Sequence, residues 1–407
     1  MTDAASERLL SGRAWDDFCD MLRNAGHMID AFGDDVNDRD RVEWYRFMTR
    51  LVRNGFERFV ENGEVTRPRL RDTPWRQSIN FQSPNQDHLL AEFVDGSLEY
   101  RITGNRGTLP YFVICAWRAN QPADIGERDW AARGVEGLKE FDPALLNTTG
   151  MIQSDSITFD ADGNFEVIVS QNKPADGTAW LPITPDCVGL LVRTVYDDRA
   201  NTIPPTMTLE RLDGAAPQPI DGRHMSEALA KSGQVALGYA ELVRSWWQDN
   251  LSKRPNRIRF SRAVYLSNGG VPDRHHGFGT WDRAEDEALV LRFTPPQSDF
   301  WIFQLCNIWQ ENLDNYEEGQ GHVTIATAKP LDDGSILIVI APEDPGLGGN
   351  WVDPYGLVHG GMSLRMIKPA GDPPPVHLHR VKLADLKANG LAGLKPEDAI
   401  VSGEISD

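Results

Sequence analysis

The residues best suited to chemistry lie in one short segment, CNIWQENLD, which contains Asn307, Trp309, Glu311 and Asp314. If this segment is a strand, alternate side chains share a face, so the first three would point the same way and Asp314 would lie at the strand end. An aromatic ring flanked by an amide and a carboxylate suits a neutral, ring-containing molecule. Glu311 would then be a general acid or base, provided that burial makes its proton available near neutral pH.

Further candidates come from other segments. His276 belongs to VPDRHHGFGTW, which is rich in glycine and predicts a loop, and loops often carry functional residues. We therefore predict a catalytic set of Glu311, Asp314 and His276. The residues predicted to bind the substrate are Asn307, Trp309, Gln304, His359 and Trp351.

Each of these assignments has a structural alternative. Asn307 and Glu311 could instead satisfy backbone groups or a loop arginine, and Trp309 could be a core residue. His377 and His379 alternate along one predicted strand and could form a metal pair, but the sequence offers no third ligand. We accordingly predict neither a metal nor an organic cofactor.

The second half of the chain repeats the first. The stretch beginning DGNFEVIVS resembles the one beginning DGSILIVIA, and LEYRITGNRGTLPYFVICAW resembles LVLRFTPPQSDFWIFQLCNIW. The matched positions are Asp162 with Asp333, Trp180 with Trp351, Arg193 with Arg365, and Trp117 with Trp309. Matches that keep their order over so long a stretch indicate an internal duplication.

The pattern predicts a mainly β protein made of two tandem, jelly-roll-like β-sandwich domains, because short strands follow one another without alternating helices. Residues 1–66 show helical spacing of apolar side chains and predict a helical hairpin. The predicted first sandwich spans 86–215 and contains a helical insert near 129–141. A linking helix is expected over 224–256, and the second sandwich over 257–407.

Several of these segments resemble a known family. They are SGRAWDDFCDML, EYRITGNRGTLPYF, DGNFEVIVS, FQLCNIWQENLD and GGNWVDPYGLVHGGMSLR. Together they resemble the bacterial proteins grouped as domain-of-unknown-function family 1214, over about residues 11–386. The resemblance implies a mostly β, jelly-roll-like fold and no agreed activity.

Charge and composition exclude some classes of partner. The formal net charge of −19 would repel a polyanion, so we expect no nucleic acid. No run of 18 apolar residues predicts a membrane span, and the first residues lack the apolar core of a signal peptide. The four cysteines have no metal-binding or redox spacing. We expect a cytoplasmic protein with a small-molecule substrate, and homo-oligomerisation stays open.

The combined expectation is an enzyme, a hydrolase or lyase that needs no cofactor and acts by acid–base chemistry on a small, neutral, ring-containing compound. A sugar derivative or an aromatic or polycyclic catabolite would fit. Two alternatives stay open, namely a noncatalytic small-molecule binding protein and a self-assembling structural jelly-roll. A titratable pair facing a common pocket would favour the enzyme, and a pocket lined by apolar and amide groups would favour binding.

Overall fold

A computed structural model gives the structure of the protein. It describes residues 3–64, 66–73, 84–119, 146–262, 265, 271–314 and 320–403. The helical insert predicted near 129–141 lies outside these residues. The described chain divides into two compact units, unit 1 with most of the residues up to Arg244 and unit 2 with most of those from Ser245 onward.

Unit 1 begins with the predicted helical hairpin. Its helices are α1 (Ala4–Leu10), α2 (Arg13–His27) and α3 (Asp38–Phe56). Asn37 caps α3: its side chain accepts from the Asp40 backbone N–H while the Asp40 carboxylate accepts from the Asn37 N–H. The apolar faces pack on each other, with Phe18 and Phe56 in ring contact, and they share a small core with Met225 and Leu229 from the helix that follows the first repeat.

Two sheets form the rest of unit 1. Sheet A has the strand order β1-β2-β8-β4-β5, and sheet B has the order β7-β6-β3-β9. The strands are β1 (Arg71–Thr73), β2 (His88–Glu92), β3 (Tyr100–Asn105), β4 (Tyr111–Ala119), β5 (Leu146–Gln153), β6 (Asn164–Ser170), β7 (Ala179–Pro182), β8 (Gly189–Val195) and β9 (Thr206–Arg211). Helix α4 (Gly222–Lys253) follows them, and from Ser245 its residues belong to unit 2.

Unit 2 also contains two sheets. Sheet C has the order β10-β11-β17-β13-β14, and sheet D has the order β16-β15-β12-β18-β19. The strands are β10 (Arg257–Phe260), β11 (Arg274–Asp282), β12 (Glu287–Phe293), β13 (Phe300–Cys306), β14 (His322–Thr324), β15 (Ile336–Ile340), β16 (Asn350–Val352), β17 (His359–Ile367), β18 (Val376–Lys382) and β19 (Ile400–Ser402). A short helix, α5 (Leu383–Asn389), lies between β18 and β19.

The strand orders confirm the duplication. Sheet C repeats the order of sheet A, and sheet D repeats that of sheet B with β19 added at one edge. A parallel strand pair also recurs among the described strands, β6 with β7 in unit 1 and β15 with β16 in unit 2. In each unit the two sheets enclose one apolar core. The fold is therefore a tandem pair of β-sandwiches, with a helical hairpin before the first repeat and a long helix between the two repeats.

The sheet register corrects one of the sequence matches. Arg193 pairs with Val113 on β4, and Arg365 pairs with Ile302 on β13, so Val113 and Ile302 are equivalent. Counting along both strands, Trp117 is then equivalent to Cys306. The match of Trp117 with Trp309 is therefore wrong by three residues, because sequence similarity alone does not fix which residues stand opposite each other in a sheet.

One structural finding concerns membranes. Among the residues that the structure describes, no helix combines the length and the apolar character needed to cross a bilayer.

Candidate functional site

The segment richest in candidate residues is a tight turn. Strand β13 ends at Cys306, and the chain reverses so that Asn312 forms an antiparallel bridge with Cys306. The prediction that Asn307, Trp309 and Glu311 alternate on one strand face is therefore wrong. Gln310 takes a left-handed backbone conformation, with φ of 62°, which is uncommon for a residue other than glycine and lets the turn close.

The polar side chains of this turn hold its backbone together. The side-chain oxygen Oδ1 of Asn307 accepts from the backbone N–H groups of Trp309 and Glu311, both at 3.0 Å. The Asn307 side-chain amide donates to the Glu311 carboxylate at 3.1 Å. Both side chains are buried, as is the Trp309 ring. The structural alternative for Asn307 therefore has direct geometric support.

Next to this turn lies a buried, largely polar surface on sheet C. One side of sheet C carries apolar residues of the core, and alternation places the remaining side chains on the opposite side. We call this second side the polar face. Across the strands it consists of Thr280, Gly361 and Cys306 with Asn312 beside them, then Phe278, Ser363, Gln304 and His322, then His276, Arg365, Ile302 and Thr324.

Part of the polar face is closed off from solvent although it is hydrophilic, whereas His276, Phe278, His322 and Arg365 are half-buried. The side chains of Thr280, Ser363, Gln304 and Cys306 have no exposed surface. Within unit 2, the ring of Trp246 packs against Phe278. Burial of hydroxyl and amide groups is costly unless they find partners, so each of these groups must have a packing or functional reason.

His276 lies in strand β11 and not in the predicted glycine-rich loop. The glycines around it allow close packing, since a side chain at Gly277 would overlap Ile258 and Phe260. The Arg365 Nε donates to His276 Nε2 at 3.0 Å, and the Ser363 hydroxyl lies 3.1 Å from the same nitrogen. Because a guanidinium can only donate, Nε2 must carry the lone pair.

The environment keeps His276 neutral. Burial, together with the positive charge of Arg365, holds the pKa of His276 well below its usual 6.5. Its one lone pair is already engaged by Arg365. His276 therefore serves as an acceptor that orients Ser363 and Arg365, and it is poorly placed to take a proton from a bound molecule.

The centre of the polar face is an amide and thiol cluster. The Gln304 amide donates to Asn312 Oδ1 at 3.1 Å and lies 3.4 Å from the Cys306 sulfur. Burial raises the pKa of Cys306 to about 12, so this thiol stays protonated and uncharged. Among the described residues, neither the Asn312 Nδ2 nor the Thr280 hydroxyl has a hydrogen-bond partner.

A glycine lies between these two polar groups. Thr280, Gly361 and Cys306 are directly opposite one another on neighbouring strands, and Asn312 follows. In unit 1 the equivalent glycine is Gly189, and the indole of Trp117 lies directly over it: a Cβ on Gly189 would come within 2.3 Å of that ring. In unit 2 the residue in the place of Trp117 is Cys306, whose side chain is too short to cover Gly361 in this way.

The other predicted residues are distributed differently. His359 begins β17 on the side of the polar face, and its ring meets Trp247 edge-on at 5.2 Å between centroids. Asp314 is half-buried just beyond the turn. Trp351 lies on sheet D, where its indole donates to the Ala341 carbonyl at 2.8 Å. Trp180 makes the same bond to Ser170 in unit 1, so the geometry indicates a structural role for Trp351 in place of substrate binding.

Five residues that matter on the polar face are not identified from the sequence, namely Thr280, Cys306, Asn312, Ser363 and Arg365 as a partner of His276. The match of Arg365 with Arg193 does not predict its partner. A usable signal lies in β17, where polar residues alternate with Met362, Leu364 and Met366. That alternation normally indicates a solvated face. Only the structure shows that Ser363 and its neighbours Thr280, Gln304 and Cys306 on this face are fully buried.

Metal binding has no support in the described part of the chain. There, no three side chains among histidine, cysteine, aspartate and glutamate come together as a metal site would require. His379 instead lies 3.0 Å from the Lys395 carbonyl through its Nε2.

Comparison with known proteins identifies the family. The sequence profile described as "Protein of unknown function (DUF1214)" matches residues 141–198 and 283–370. A crystal structure of an uncharacterized protein from Burkholderia cenocepacia is 30% identical, covers 94% of this chain and 100% of its own, and superimposes with a TM-score of 0.81. A protein from Vibrio parahaemolyticus is 11% identical over 87% of this chain and 95% of its own, with a TM-score of 0.43. A search among curated proteins found no match. The chain belongs to the DUF1214 family of proteins of unknown function.

Proposed function

We propose that unit 2 binds a small, neutral, ring-containing molecule on its polar face, with the ring over Gly361. The observation that carries this proposal is the exchange of Trp117 for Cys306. In unit 1 an aromatic ring of this same chain lies over the equivalent glycine, and in unit 2 the residue that supplies the ring is replaced by a short one. The ligand ring takes the place that the indole takes in unit 1.

The groups around Gly361 define the chemistry of the ligand. The Thr280 hydroxyl lies on one side and the Asn312 amide on the other, and both lack a partner among the described residues. A hydroxyl can donate or accept, and an amide N–H donates, so the ligand needs at least one hydrogen-bond acceptor. The thiol of Cys306 is protonated, and Glu311 already accepts from Asn307. A neutral ligand therefore fits better than an ion.

Binding is better supported than catalysis. Acid–base chemistry needs a group that can exchange a proton with the ligand. The lone pair of His276 is engaged by Arg365, and the carboxylate of Glu311 is tied into its own turn. Hydrolase or lyase activity through these residues stays a prediction without a geometric argument in its favour.

Indole is the most direct probe, since it is the ring that fills the equivalent place in unit 1. Titration calorimetry and fluorine NMR with 5-fluoroindole should detect one saturable site in the wild-type chain. Cys306→Trp recreates the unit 1 arrangement and should weaken binding at least tenfold, because its ring would occupy the space. Cys306→Ala introduces no ring at this position and serves as the matched control.

The outcome that overturns the proposal is equally clear. If Cys306→Trp is folded by circular dichroism and binds indole as the wild type does, the ring does not lie over Gly361. Gly361→Val places a side chain at the same position from the neighbouring strand. If Cys306→Trp does not fold, indole binding is measured with this variant, and the same loss of affinity is expected. Absence of any indole binding by the wild type would also count against the proposal.

The remaining expectations belong with this proposal. We propose a small-molecule partner, a cytoplasmic location and no nucleic-acid or membrane partner; the charge of −19 supports the lack of a nucleic-acid partner, and the four unpaired cysteines are compatible with a reducing compartment. Homo-oligomerisation stays open.

A further inference from the structure

A second cavity of unit 2 lies on the outer surface of sheet D. Its volume is about 440 Å³, which is within the usual range for small-molecule sites. Strands β12, β15 and β18 form its floor, and the chain that follows helix α5 forms its roof through Leu391, Leu394 and Pro396. None of these residues takes part in the polar face on sheet C.

The interior of this cavity is apolar. Val290 and Leu337 lie at its floor and are almost completely buried. The equivalent residues of sheet B in unit 1 are Arg101 and Glu166, which are partly exposed and form an ion pair at 3.5 Å. The second copy of the fold therefore has apolar side chains here, on which the roof residues Leu391 and Leu394 pack, where the first copy presents charges to solvent.

The mouth of the cavity is polar and exposed. Arg292 and His377 stand directly opposite each other on β12 and β18, so their side chains are neighbours. The Arg292 Nε donates to the Ser335 hydroxyl at 2.8 Å, and one terminal nitrogen donates to Asp333. Among the described residues, neither the other terminal nitrogen of Arg292 nor the imidazole of His377 makes a hydrogen bond.

Asp333 limits the charge that this mouth can accept. Its carboxylate accepts from the backbone and hydroxyl of Ser335 as well as from Arg292, which offsets much of its charge. A single negative charge beside Arg292 and His377 is compatible with that arrangement, whereas a dianion would be repelled by Asp333.

We infer that this cavity binds an amphipathic monocarboxylate, a molecule with an apolar chain or ring and one carboxylate. The apolar part lies against Val290 and Leu337 beneath the C-terminal roof. The carboxylate lies at the mouth and accepts from the free terminal nitrogen of Arg292 and from His377, a charge-assisted arrangement that guanidinium groups favour. His379 lies 3.0 Å from the Lys395 carbonyl and so links the roof to β18.

Octanoate tests this inference by titration calorimetry on the full chain. We expect saturable binding with one site, and octanol, which has the same chain without the charge, should bind at least tenfold more weakly. Arg292→Met should lower the affinity for octanoate by about tenfold or more and leave the affinity for octanol unchanged. Leu394→Trp should weaken both, because its ring occupies the cavity. Arg101→Met, an exposed arginine of sheet B with a carboxylate partner, is the matched control and should have no effect.

Two results would overturn the inference. Equal affinities for octanoate and octanol would show that Arg292 and His377 do not bind the carboxylate. A folded Leu394→Trp variant that binds octanoate with wild-type affinity would show that the ligand does not lie in this cavity. Cys306→Trp should leave octanoate binding intact, which separates this site from the one proposed over Gly361.

Discussion

The two repeats carry the same histidine–arginine pair on sheets of the same strand order, yet they bury different chemistry around it. His88 stands opposite Arg193 on sheet A, as His276 stands opposite Arg365 on sheet C. Around this common pair, sheet A has Leu191, Cys115 and Trp117 where sheet C has Ser363, Gln304 and Cys306. An aliphatic chain, a thiol and an indole thus become a hydroxyl, an amide and a thiol.

The remaining difference concerns charge. At the position of Thr280, unit 1 has Glu92, which is buried and paired with Arg58 from the N-terminal segment at 2.8 Å. Arg71 adds a second bond to the same segment through Glu57 at 2.7 Å. In unit 1 the chain itself supplies an ion-pair partner for Glu92, whereas in unit 2 the hydroxyl of Thr280 at the corresponding position lacks a partner among the described residues. The first copy thus pairs a buried charge within the chain at this position, and the second copy has an unpartnered hydroxyl there, which supports the ligand site that we propose for unit 2.

The largest expected effect comes from breaking the ion pair of unit 1. Arg58→Met leaves the Glu92 carboxylate buried without its partner and should lower the free energy of unfolding by about 3–5 kcal/mol. Urea denaturation measures it. Adding Glu92→Thr, the residue type of position 280, removes the stranded charge and should restore at least half of the loss. A double variant no more stable than Arg58→Met would show that the two surfaces are not interchangeable in this respect.

The next prediction converts unit 1 towards unit 2. Trp117→Cys removes a buried ring over Gly189 and should cost about 3 kcal/mol, as expected for a large side chain lost from a packed interior. The same change should create a second indole site, so that calorimetry gives two sites per chain in place of one. If the stoichiometry stays at one indole per chain, Gly189 and Gly361 do not provide equivalent positions for a ring.

A smaller effect follows from the neutral state of His276. Its pKa in the folded chain lies well below 6.5, so the unfolded state binds more protons below that pH. The contribution of His276 to the free energy of unfolding is therefore fully present above about pH 6.5. It falls as the pH is lowered, by up to about 1.4 kcal/mol per pH unit. His276→Asn should reduce this slope between pH 6.5 and 5.5. Denaturation at pH 8, where neither protein takes up this proton, is the reference.

The smallest effects should be the same in both units. Trp180→Phe and Trp351→Phe each remove one indole-to-carbonyl hydrogen bond of the same geometry and should each cost about 1 kcal/mol. Indole affinity should be unchanged in Trp351→Phe, because this residue lies on sheet D. A loss of binding in that variant alone would support the original prediction that Trp351 contacts the ligand.

Prediction from sequence was strongest for the repeat and weakest for the turn. Residues such as Trp180 and Trp351 could be matched because each fills the same position beside a parallel strand pair. The spacing of Asn307 and Glu311 predicts a strand, because alternate residues of a strand share a face. In the structure the Asn307 side chain instead accepts hydrogen bonds from the backbone of a turn, an arrangement that competes with a strand. His276 was assigned to a loop because its neighbouring glycines resemble turn residues, although Gly277 and Gly279 are required by close packing against β10.

The sequence by itself determined the duplicated β-sandwich architecture, the helical hairpin and the acidic surface, because periodicity, turn residues and charge are properties of local segments. The tertiary structure alone decided that Trp117 corresponds to Cys306, that Thr280, Ser363 and Gln304 on the polar side of sheet C are buried, and that Gly361 lies between two groups without partners among the described residues. These facts depend on which strands pair and in which register, and register joins residues that are far apart in the chain.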